Sequence, residues 1–420
     1  KNGAVDEYKK VSGISHFIEH MMFKGTEKRS ARQIAEEIDR IGGQINAFTG
    51  KEATCYYVKT IGANLEKGAE VILDMLNDSV FDKHEMTKER TVIFEEMKMI
   101  EDQPDDLAHD TVTELVFKGN PLGKSIIGNA TSLRGISRNV MTAYKEAEYT
   151  RDSIVVSIAG NFDEERFCDF LEGQFAKLRP TKEQKQEKPI PYTPDFKVLV
   201  KEIQQSHLCL ATKAVSLTDP AYYSFFVLNN IMGGSMSSRL FQNIREEKGL
   251  AYSVYSMFTA YSQDGYYNIY AGVAHDKIHD AIDGILAELE MLDHGEITRD
   301  EISMAKEQLK AGYTFGQENI ANRMFANGKN LLLNQRVFTA EEVLACSRME
   351  KIFCFVIVYI FRRKYWLLSK QSVRRAWLMS KNVSRIRLPI AASASAQSVS
   401  ISKKCGTLKF RGQEEKKADI

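Results

Sequence analysis

Two histidines and a glutamate within five residues, His16-Phe17-Ile18-Glu19-His20, hold the densest chemistry in this 420-residue sequence. On a helix, residues i and i+4 stand one above the other, so His16 and His20 can offer imidazole nitrogens to one metal ion. Glu19 sits beside His20, within reach of a water on that ion, where a base is needed. The acid precedes the second histidine, which is the H-x-x-E-H order, inverted relative to H-E-x-x-H. Zinc in a hydrolytic site takes three protein ligands and keeps a fourth position open. A third donor must therefore come from elsewhere in the chain.

The segment Thr87 to Met97 reads as a helix, with Thr87 as N-cap and Val92, Ile93 and Met97 apolar at helical spacing. Glu89 and Glu96 lie two turns apart on it, so one face can present one carboxylate to the metal and a second nearby. Glu95 adjoins Glu96, and the helical pattern alone leaves both open as the ligand. A second pair of histidines at i and i+4, His275 and His279, lacks a preceding acid and a third donor on its face. A solvated helix start is the better reading there.

Gly13 to Thr26, Gly42 to Thr49 and Glu89 to Glu96 together resemble the pitrilysin-type (inverzincin) zinc metallopeptidases. The branch that resembles mitochondrial processing peptidase, with its bacterial relatives, fits best. A further match runs through Ser237-Ser238-Arg239-Leu240-Phe241 and from Arg245 to Tyr252, so the resemblance extends from about Ser12 to about Asn334. It implies that Glu96, 76 residues after His20, is the third zinc ligand, and that Glu89 is an additional acid of the site. It also implies that Arg245 and Tyr252 complete the site from a second domain, and that Asn46, Ala47 and Phe48 contact substrate. The implied activity is zinc-dependent endopeptidase cleavage of extended peptides by a metal-activated water. A non-catalytic structural or partner subunit is the alternative. A homodimer enclosing its peptide substrate is expected; the family usually places two strands ahead of the zinc helix, where this sequence has only about a dozen residues, so either the chain is truncated or that sheet loses an edge.

The chain is long for one core, and two domains of roughly 200 residues are the prior. A net charge of +1 speaks against a nucleic-acid or acidic-membrane role for the whole chain. Six cysteines, at 55, 168, 209, 346, 354 and 405, form no C-x-x-C pair and suggest neither a thiolate zinc site nor a disulfide framework. Reduced, cytoplasmic surroundings are expected, with no signal peptide. The longest apolar run, Ile352 to Phe361, falls short of the ~20 residues of a spanning helix.

The implied architecture is α+β: two similar α/β-sandwich domains, each an antiparallel-rich sheet with helices. Residues 1–180 would be the zinc-binding domain, 181–196 a Pro-rich linker, and 197–420 the second domain. Helices are expected at 30–41, 63–77, 84–101 and 105–118, a hairpin at 44–60 and a strand at 153–159. The second half should carry strands near 197–203 and 207–213, helices near 218–232 and 236–247, a hairpin over 251–274 and long helices to about 333. After about Val337 the pattern is atypical: Phe361 to Ile420 holds 15 Lys/Arg against 3 Asp/Glu. Aromatic residues are too sparse there to suggest nucleic-acid binding.

Overall fold

A computed structural model describes residues 1–175 and 192–346 and the short strand Gln397–Val399. Residues 181–191 of the expected linker lie outside the described residues, as do the basic tail apart from Gln397–Val399, the apolar run Ile352 to Phe361, Cys354 and Cys405.

Helix α1 (Ile14–Met22) is organised by five apolar residues at helical spacing. Ile14, Phe17, Ile18, Met21 and Met22 are all fully buried. That stripe turns His16, Glu19 and His20 to the opposite side. Helix α2 (Ala31–Arg40) starts in a capping box between Ser30 and Gln33, and packs Ile34 and Ile38 inward. The strands β1 (Gln44–Thr49) and β2 (Thr54–Lys59) form the antiparallel hairpin, with Ala47 opposite Tyr56. Helices α3 (Leu65–Asp78), α4 (Lys83–Asp102) and α5 (Pro104–Val116) follow, then α6 (Ala130–Gly135), α7 (Arg138–Glu148) and α8 (Glu164–Phe175). One cluster built on α1 takes in Ile34 and Ile38, Val71 and Met75, Met86 and Ile93, and Met141.

Three expectations need correction. Helix α4 begins four residues before Thr87, capped by Asp82, whose carboxylate accepts from the His84 and Glu85 amides at 2.8 and 3.0 Å. Thr87 lies inside the helix, its hydroxyl bonded back to the Lys83 carbonyl at 3.0 Å. The stretch 154–159 is not a strand among the described residues; its Ser157 donates instead to the Met324 carbonyl of a helix at 2.7 Å. The helix expected at 236–247 is a π-helical stretch, Phe241–Glu247.

The second half begins with β3 (Val198–Val200), paired with Gln397–Val399. A three-stranded antiparallel sheet follows, in which β6 (Gly265–Val273) lies between β4 (Ser206–Ala214) and β5 (Ala251–Ala260). Being central, β6 is buried along its whole length. Helices α9 (Tyr222–Met232) and α10 (Ile278–Asp293) supply Phe225, Leu228, Ala281 and Ile285 to the core of this half. Helices α11 (Arg299–Glu318), α12 (Ile320–Asn334) and α13 (Ala340–Cys346) complete the described chain.

Helix α5 joins the halves by packing on β4, where Val112, Val116 and Phe117 enclose Tyr266. His109 of α5 accepts at Nδ1 from the Asn268 amide at 3.1 Å, which leaves Nε2–H to donate to the Tyr255 hydroxyl at 2.8 Å. Two backbones cross tightly just before α1: a Cβ on Gly128, at φ +78°, would lie 2.3 Å from the Ser12 carbonyl oxygen. Gly128→Ala should therefore cost well over ~1 kcal/mol by denaturant unfolding. Gly119→Ala, at φ +81° but in open space, should cost less.

Candidate metal centre

Helix α4 crosses α1 so that Glu96 faces both imidazoles. Glu96 Oε2 lies 3.7 Å from His16 Nε2 and 3.7 Å from His20 Nε2, with the two rings 4.6 Å apart and steeply inclined. One donor atom from each of the three residues fits within a 4.8 Å span, the single such cluster of His, Cys, Asp and Glu among the described residues. A tetrahedral zinc site places its donors about 3.4 Å apart, given bonds of about 2.0–2.1 Å, so this set needs only a small contraction to close on an ion.

The electrostatics suit a cation. Burial, aided by the neighbouring His20, lowers His16 to about 4, which leaves its ring neutral near pH 7 and able to donate a lone pair. His20 Nδ1 lies 3.2 Å from Glu89 Oε2, so Nδ1–H donates to that carboxylate and Nε2 is left free for metal. Glu89 is buried and held in turn by Lys24, 2.7 Å from its other oxygen. Glu89 thus holds the His20 ring and is not itself in the cluster.

Glu95 points elsewhere: it is exposed and paired with Lys98 at 2.7 Å. Glu96 takes the metal-facing position because it continues the inward stripe of Met86, Glu89 and Ile93. Glu19, on the same side of α1, accepts a hydrogen bond from the Thr49 hydroxyl of β1. Burial raises the Glu19 carboxyl, and the Thr49 bond partly offsets this.

Residues 46–48 lie on β1, which among the described residues pairs only with β2 and so leaves its other edge open. Asn46 accepts from the Ala47 amide through Oδ1 at 2.8 Å. Phe48 and Tyr57 meet Phe325 of α12, ring centroids 5.8 and 5.0 Å apart, so the second half reaches over this hairpin. Arg245 and Tyr252 are together, but away from the cluster. The Arg245 guanidinium stacks 4.5 Å over Phe241 and 5.4 Å over Tyr252, and Tyr252 is 79% exposed. Among the described residues no hydrogen bond, ion pair or ring contact joins either to His16, Glu19, His20 or Glu96.

His275 uses both ring nitrogens, with Ser206 Oγ at 2.8 Å and the Ile203 carbonyl at 2.9 Å, and belongs to no metal cluster. Thr49, Lys24 and Phe325 went unassigned in the sequence. Thr49 and Lys24 stand inside recognisable motifs, but only the tertiary contacts give them partners.

Residues 1–130 match the family model described as insulinase (peptidase family M16), and residues 135–309 match the peptidase M16 inactive domain. A Bacillus subtilis protein named uncharacterized zinc protease YmxG is 40% identical over 343 residues, covering 81% of this chain and 83% of its own. An uncharacterized zinc protease of Rickettsia felis is 35% identical over 345 residues, covering 82% and 83%. In fold, the chain is similar to a protease from Helicobacter pylori, with TM-score 0.76 at 20% identity over 85% of this chain and 89% of that one.

The two adjacent acids separate cleanly in a metal assay. Glu96→Gln should release zinc, read by chelator competition, whereas Glu95→Gln should retain it. The reverse result would show that the wrong carboxylate faces the ion.

Proposed function

We propose, from the premise that this chain belongs to the peptidase M16 family, that it is a zinc-dependent endopeptidase acting on extended peptides or unfolded segments. The observation that carries this reading is the complete constellation of His16, His20 and Glu96 as donors with Glu19 beside them as base. The full donor set favours an enzyme over a non-catalytic partner subunit.

A zinc ion on these three ligands would polarise the scissile carbonyl and acidify a water at its open position. The chain supplies the rest. Glu19 takes the proton from the attacking water and returns it to the leaving amine as the carbon–nitrogen bond breaks. Thr49 keeps the Glu19 carboxylate turned toward the site. The open edge of β1 at Asn46, Ala47 and Phe48 can add the substrate as a further strand, with main-chain bonds holding it extended.

Arg245 and Tyr252 offer donors for a tetrahedral oxyanion. Since Tyr252 is exposed in the single chain and Arg245 lies half-buried against it, we assign them to a closed arrangement, reached by domain closure or by a second copy across a shared chamber. A homodimer is the expected state. No helix among the described residues is long and apolar enough to cross a membrane.

Glu19→Gln should keep zinc and lose cleavage of a quenched peptide by about 10²–10⁴-fold, the usual worth of a general base. Thr49→Val should keep zinc as well and lower kcat less severely. Full activity in Glu19→Gln would exclude the assignment.

A further inference from the structure

Helix α1 carries both histidines yet begins without a capping side chain of its own, because its N-cap residue is Gly13. The first amides of a helix have no acceptor within it. At α1 they are served from upstream. Glu7 Oε2 accepts from the Gly13 amide at 2.7 Å and Oε1 from the Ser15 amide at 2.9 Å. Glu7 is only 4% exposed, so these are buried, charge-assisted bonds at the positive end of the helix dipole. Gly13 cannot take over the role: at φ +88° its Cβ would sit 2.5 Å from the Ile127 carbonyl oxygen.

The two histidines differ in what else holds them. His20 is steadied through Nδ1 by Glu89, whereas His16 Nδ1 is buried without a hydrogen-bond partner. The aim of His16 is therefore set by the first turn of α1, and the residue before it is Ser15, whose amide Glu7 holds.

Resting on the reading of His16, His20 and Glu96 as a zinc site, we propose that Glu7 is a positioning residue for that site: by clamping the Gly13 and Ser15 amides, it fixes the first turn of α1 and so the reach of His16 Nε2 toward Glu96.

The clamp is also sensitive to pH. Burial lifts the Glu7 carboxyl to about 7, against the pull of the Ser15 and Gly13 hydrogen bonds and of Lys124. Lys124 also donates to the Glu7 carbonyl, and Lys51 and Tyr144 are the other titratable groups that feel its charge. A proton on the carboxyl removes the charge and one strong acceptor, so the two amide bonds are strongest with Glu7 ionised. Global stability runs the other way. A carboxyl raised in the fold holds a proton that the unfolded chain has released, so this group's contribution falls as pH rises from 4.5 to about 7.

The test is Glu7→Gln in the full chain, measured first without metal. Amide hydrogen exchange should show protection at Gly13 and Ser15 falling about tenfold or more, a clamp loss worth ~1.4 kcal/mol, while β6 amides stay protected. Zinc affinity should then fall about ten- to hundredfold, as for other groups that orient a ligand, and kcat should fall with KM unchanged. Unchanged exchange at Ser15 overturns the proposal, and so does lost protection with unchanged zinc affinity. A wild type that binds no zinc overturns the functional reading and this one together. A zinc-binding wild type with an indifferent variant overturns this one alone.

Discussion

The structure depends on a helix of nine residues whose two sides are both fully committed. One side of α1 buries Ile14, Phe17, Ile18, Met21 and Met22; the other points His16, Glu19 and His20 at α4 and β1. Turning α1 by one residue would expose a phenylalanine, at about 1.5–3 kcal/mol, and press a carboxylate into the core at several more. Packing therefore fixes the orientation of the donors before any ion is present.

The rest of the first half serves that orientation. Helix α4 brings Glu96 to the two imidazoles and Glu89 to His20 Nδ1, and Arg90 of the same helix ties it to the Leu133 and Ile136 carbonyls at 3.0 and 2.9 Å. The hairpin contributes Thr49 to Glu19 and an open edge beside it. Helix α5 then anchors the second-half sheet through His109, Thr113 and Phe117, and α12 returns Phe325 to the hairpin. The hairpin thus meets a second-half helix through Phe48 and Tyr57, while Tyr252 remains exposed.

Much of this was readable in the residues. The H-x-x-E-H spacing, the shared face of Glu89 and Glu96, the α2 cap at Ser30 and the hairpin at Gln44–Thr49 depend on local periodicity, which survives folding unchanged. Glu96 over Glu95 came through family resemblance together with the face shared with Glu89, and the structure adds the Lys98 partner of Glu95. What local pattern misses is set by distant contact. Thr87 looks like a cap but Asp82 is one; 154–159 looks like a strand but docks on α12; and Glu7 reaches α1 from outside the helix.

Zinc anomalous scattering from crystals of the full chain tests the central claim most directly. The account predicts one strong peak within about 2.0–2.2 Å of His16 Nε2, His20 Nε2 and a Glu96 oxygen, with Glu89 bonded to His20 and not to the metal. A peak at His275, direct ligation by Glu89 or Glu95, or no peak from zinc-saturated protein would contradict it.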